Sequence, residues 1–130
     1  VHIGMQPQSV RSYGGFHVQG RADGAAAEIL REAKALESLG VFSIVLECIP
    51  SDLAAEITNS LQVPTIGIGA GAGCDGQILV LHDLLGLNPD FRPKFARHFL
   101  AGADGVLGAI AGFDRAVKAG TFPSPQESYS

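Results

Sequence analysis

A single acid closes an apolar run in Phe42–Pro50, FSIVLECIP. Phe42, Ile44, Val45 and Leu46 read as a strand buried on both faces, with Glu47 at its carboxyl end. A carboxylate in such a place is costly unless something uses or satisfies it. Active sites of parallel α/β folds collect at these strand ends. One reading makes Glu47 a general base, its pKa raised by apolar neighbours. The other makes it a structural carboxylate, paired with an arginine or capping the next helix. His2 holds an equivalent position before the first long loop. It could donate a hydrogen bond to a carboxylate or an oxyanion, or serve as a structural histidine bonded to a backbone carbonyl.

Other chemistry-bearing residues are less pointed. Gly67–Gly76 places five glycines in ten positions, and Gly71, Gly73 and Gly76 fit G-x-G-x-x-G. That pattern cradles a phosphate when a helix follows. Here the apolar Gln77–Leu81 follows, which reads as a strand. The glycines are better explained by a backbone that approaches a substrate or a neighbouring loop closely. His82 and Asp83 are adjacent, His17 and His98 stand apart, and no H-x-x-x-H or E-x-x-H spacing occurs. No zinc site is expected within this chain. No G-x-S-x-G motif marks a nucleophile. Cys48 follows Glu47, and strand alternation would turn it to the opposite face as inert packing.

These residues need elements to hold them. Val1–Ile3 reads as a strand end, and Gly4–Ala22 as an ordered loop packed over another part of the protein, long enough to be functional. Asp23 can cap a helix to about Leu39, with Ala26, Ile29, Leu30, Ala33 and Leu36 at helical spacing and Gly40 beyond its end. After the strand Phe42–Glu47, Ser51 is the expected N-cap of a helix to about Ser60. Val63–Ile68 and Gln77–Leu81 read as strands and His82–Gly86 as a helical turn. Pro93 suits the first turn of a helix to about Leu100. A last helix spans about Asp104–Ala119, leaving a tail at 121–130. Alternating short apolar strands and amphipathic helices imply a parallel sheet with helical crossovers. Four such strands, over residues 1–120, are about half of a (β/α)8 barrel of about 250 residues. An open doubly wound sheet is the alternative.

Composition narrows the function. The chain of 130 residues is 46% hydrophobic and 17% charged, with net charge −4. It reads as one apolar-rich globular unit, and without a basic block nucleic acid is not an expected partner. An acidic protein suits an anionic substrate only if a cation or a local positive site assists. The two cysteines form no C-x-x-C, which fits free thiols in a reducing compartment and hence the cytoplasm. No apolar run approaches the roughly 20 residues of a membrane span, so no membrane partner is expected. Val1 is not Met, and the chain is expected to be a piece of a longer protein.

Several stretches are similar to one family in fixed order. His2-Ile-Gly-Met-Gln-Pro-Gln8 resembles H-L-G-L-T-P-Q, and Tyr13–Arg21 resembles F-G-G-Y-K-V-Q-G-R. Val45–Pro50 resembles V-L-E-C-V-P. Pro64–Gly71 and Asp75–Val80 resemble P-V-I-G-I-G-A-G and D-G-Q-I-L-V. His82-Asp83, Pro93-Lys94-Phe95, Phe122-Pro123 and Glu127-Ser128 follow in order. Together they resemble the ketopantoate hydroxymethyltransferase family over essentially the whole chain, with Met5 and Gln6 departing from its usual Leu-Thr. The resemblance implies the C-terminal half of a (β/α)8 TIM barrel of the phosphoenolpyruvate/pyruvate type, homo-oligomeric when full length. It implies Mg2+ bound by residues of the N-terminal half, with no metal ligand in this chain. The small-molecule partners it implies are a 2-oxo acid, 3-methyl-2-oxobutanoate, and the folate 5,10-methylenetetrahydrofolate as co-substrate, giving 2-dehydropantoate. Glu47 matches the family's proton acceptor, and His2 a histidine near the substrate that could orient it. A carbon–carbon lyase of the same superfamily and a half-barrel inactive on its own are the competing readings.

Overall fold

The computed structural model describes residues 1–5, 17–22, 24–88 and 90–130. Its centre is a parallel sheet in sequence order: β1 (His2–Gly4), β2 (Ile44–Glu47), β3 (Thr65–Ile68) and β4 (Gly76–Gln77). Helices α1 (Ala25–Ser38) and α2 (Ser51–Ser60) connect β1 to β2 and β2 to β3. Then come α3 (Leu81–Leu85), α4 (Gly105–Lys118) and a 3-10 turn at Pro125–Glu127. This is the parallel α/β architecture that the alternating pattern implies.

The two faces of the sheet differ. Ile44 and Leu46 are fully buried and join Ile3, Ala33, Ile49, Leu53, Ala54 and Ile57 in the core between sheet and helices. Each large aliphatic side chain buried there contributes about 1.5–3 kcal/mol. Val45 and Glu47 alternate onto the other face and are only partly buried. That face carries a second cluster of Met5, Cys48, Ile68 and Phe95. The expectation of a strand buried on both faces therefore holds for one face. Phe42 is 86% exposed, because the ladder starts at Ile44, opposite Thr65, and leaves Phe42 in the preceding loop.

Several element boundaries depart from the sequence reading. Ser51 is the first residue of α2 rather than its cap; Pro50 takes the N-cap position, and no side chain caps that end. Asp23, the expected cap of α1, and most of the Gly4–Ala22 loop lie outside the described residues. The strand expected over Gln77–Leu81 shrinks to Gly76–Gln77, because the Val80 carbonyl already accepts the Asp83 and Leu84 amides that open α3. The expected helix Pro93–Leu100 does not form. Its groups are committed elsewhere: the Phe99 amide donates to the Leu84 carbonyl at 2.8 Å. Arg92 Nε donates to the Ala96 carbonyl at 2.9 Å. Phe95 and Phe99 also pack into different clusters, so no single helical face could serve both.

Candidate active site

Strand register places the site. Gly4 of β1 pairs with Glu47 at the end of β2, and Glu47 pairs with Ile68 at the end of β3. Three carboxyl strand ends therefore meet at one height. The chain turns sharply there. Gly4 has φ +92°, and a Cβ on it would lie 2.3 Å from the Glu47 carbonyl oxygen. The Met5 amide donates to that same carbonyl at 2.9 Å. Only glycine permits so close an approach in a left-handed conformation.

The parallel register brings Glu47 and His2 together: His2 Nε2 lies 2.9 Å from Glu47 Oε2. The Glu47 side chain keeps 12% of its surface exposed. Burial pushes its carboxyl up to about 7, since a charge in apolar surroundings loses hydration. Burial also lowers His2, outweighing a hydrogen bond to the Met5 backbone that raises it. Its Nε2 stands in short contact with the Glu47 carboxyl oxygen. Among the described residues no arginine pairs with Glu47, and no side chain caps α2.

A cavity of about 470 Å³ opens over Glu47. Glu47, Cys48, Ile68 and Met5 line it from the strand ends, and His17 and Val18 from the described end of the first loop. Val80, Asp83, Phe91–Phe95 and Tyr129 complete it from later in the chain. Cys48 corrects the sequence reading. It lines the same cavity as Glu47, because its φ of +49° ends the extended backbone and with it the alternation of faces. Burial, with the neighbouring Glu47 charge, pushes its thiol up to about 12. It stays protonated and serves as wall, not nucleophile.

The glycine-rich segment is a packing device. A Cβ at Gly69 would meet Phe95 at 2.7 Å, at Gly71 the Ser51 Cβ at 2.5 Å, and at Gly73 the Ala55 Cβ at 2.9 Å. The backbone lies directly on α2 and on Phe95, as close approach to a neighbouring element requires. Asp75 fastens its far end, accepting the Thr65 amide at 2.8 Å.

Among the described residues, no three His, Cys, Asp or Glu side chains stand together in a way that could hold a metal ion. Glu47, His2 and Asp83 do not form such a set.

A family profile described as ketopantoate hydroxymethyltransferase matches residues 1–125. The chain belongs to the ketopantoate hydroxymethyltransferase family. It is 51% identical over 129 residues to the 3-methyl-2-oxobutanoate hydroxymethyltransferase of Burkholderia mallei, covering 99% of this chain and 48% of that protein. The protein of the same description from Burkholderia thailandensis gives the same figures. That of Paraburkholderia phymatum is 48% identical over the same 99% and 48%. The chain thus spans about half the length of the curated relatives it matches.

Within this hydroxymethyltransferase-family fold, residue-type reasoning finds Glu47 and His2 but misses much of the wall. Lys94 and Phe95 reach the cavity from a segment read as a helix, Arg92 from just before it, and Tyr129 from one read as a tail. The available signal was motif order alone: Pro93-Lys94-Phe95 and Glu127-Ser128 belong to the family pattern although no periodicity marks them.

Proposed function

We propose that this chain supplies the proton acceptor of a hydroxymethyltransferase acting on 3-methyl-2-oxobutanoate. One observation carries the reading: Glu47 is a buried carboxyl titrating at about 7, contacted by His2 and opening onto an apolar-walled cavity. A general base works best when its pKa lies near the operating pH, and burial supplies that match here. Ionised Glu47 takes the C3 proton of the 2-oxo acid. His2, its Nε2 2.9 Å from one carboxylate oxygen, orients the group and leaves the other oxygen for the substrate. The apolar walls exclude water from the carbanion-like carbon. Water cleaves both bonds that join the one-carbon unit of 5,10-methylenetetrahydrofolate to N5 and N10, releasing tetrahydrofolate. The C3 carbanion attacks the resulting formaldehyde-level carbon, whose oxygen takes the proton back from Glu47. Water supplies the hydroxyl of the product, 2-dehydropantoate.

On this reading the chain is part of a (β/α)8 barrel. Its Mg2+ and the remaining substrate contacts belong to residues outside these 130, and the complete protein is a cytoplasmic homo-oligomer. The test is C3 deuterium exchange in the full-length protein. Glu47→Gln is expected to lower the exchange rate by about 10²–10⁴-fold while 2-oxo-acid binding, followed by calorimetry, is retained. Undiminished exchange in the variant would overturn the assignment.

A further inference from the structure

The last residues of the chain are clamped over the cavity by contacts from four separate places. Arg97 grips Glu127 with two hydrogen bonds, Nε to Oε1 at 2.8 Å and Nη2 to Oε2 at 2.7 Å. Glu127 also accepts the Ser124 amide at 2.8 Å, fixing the 3-10 turn. Lys94 Nζ donates to the Ser128 carbonyl and sits 5.3 Å from the centre of the Tyr129 ring. The Ser51 amide, just past Glu47, donates to the Tyr129 carbonyl at 2.9 Å. Arg21 Nε donates to the Ser130 carbonyl at 2.8 Å. All these contacts hold one side chain: Tyr129, set edge-on against Phe95 at 6.4 Å and lining the cavity.

We infer that Tyr129 is a specificity-determining residue that limits the size of the 2-oxo acid's alkyl group, and that the Arg97–Glu127 pair is the positioning device that holds it. The inference rests on Glu47 being the proton acceptor. The carbon that loses the proton carries the branching alkyl groups. When that carbon is within reach of Glu47, its substituents must lie against the neighbouring wall. Met5, Cys48 and Ile68 form the part of that wall fixed by the sheet. Tyr129 forms the part contributed by a segment with no strand of its own, so its position depends on side-chain clamps. In a tight apolar pocket one extra methylene shifts selectivity by about 10–200-fold.

The experiment compares, in the full-length protein, kcat/KM for C3 deuterium exchange of 3-methyl-2-oxobutanoate with that of 3-methyl-2-oxopentanoate, one methylene larger. Tyr129→Ala is expected to move the ratio toward the larger acid by about tenfold, and Tyr129→Phe to leave it unchanged. Tyr129→Leu makes the same comparison if the alanine variant does not fold. Arg97→Ala and Glu127→Ala should each move the ratio in the same direction, and the exchanged pair R97E/E127R should return it toward the parent value. A ratio unchanged in Tyr129→Ala or Tyr129→Leu, with both acids losing activity equally, would show Tyr129 to be structural only and overturn the proposal. Failure of the proton-acceptor reading is separate: it shows as undiminished exchange in Glu47→Gln, whatever the ratios.

Discussion

At the scale of the residue, the site turns on one carboxyl whose acidity is set by burial. A general base acts when ionised, so exchange catalysed by the full-length protein should rise with pH through about 7 and level off above it. The pH–rate profile of deuterium exchange checks this. The same shift has a cost in stability. The folded-state pKa of Glu47 is raised above the ordinary 4.5, so its contribution is fully present below 4.5 and is lost as pH rises through about 7. Glu47→Gln should therefore stabilise the fold at pH 8, on the order of 2 kcal/mol, and change it little at pH 5. Thermal melts at the two pH values read this directly. Glu47 was legible because an acid at the end of an apolar strand has few ordinary reasons to be there. Cys48 was not, because its place follows from a left-handed backbone at φ +49° that residue type does not announce.

At the scale of the element, glycines at two chain reversals separate two kinds of constraint. Gly40 has φ +85° with nothing near its would-be Cβ, whereas Gly71 has φ +76° and Ser51 Cβ at 2.5 Å. Gly40→Ala should cost about 1 kcal/mol, the strain of a left-handed non-glycine residue. Gly71→Ala should cost about 2–4 kcal/mol, because the clash adds to the strain. Denaturant unfolding of the two variants side by side tests the ranking. Element order, parallel pairing and the helix ends near Gly40 and Gly120 could be read from periodicity and glycine placement. The failures share a cause. Pro93–Leu100 has a helix-starting proline, but tertiary hydrogen bonds and two separate apolar clusters claim its backbone and its phenylalanines. Local signals carry no information about such distant partners.

At the scale of the molecule, among the described residues the outer edges of β1 and β4 pair with no further strand. Val106, Leu107 and Ile110 on α4 are exposed as well. Open edges and bare apolar surface favour association. The isolated 130-residue chain is expected to self-associate and to lack C3 exchange activity. Sedimentation velocity together with the exchange assay tests both, and a monomer with full activity would contradict the half-barrel reading. The segment 121–130 looked like a featureless tail because its order comes from Arg97, Lys94 and Arg21 rather than from its own pattern. The cavity wall joins Met5 to Tyr129, nearly the full span of the chain. Such a site has high contact order, and long loops must close before it exists. During folding Glu47 stays hydrated, with the acidity of an ordinary glutamate, until those distant segments meet. The weakly acidic carboxyl is thus a late product of tertiary closure, and no short peptide cut from around it would inherit its raised pKa.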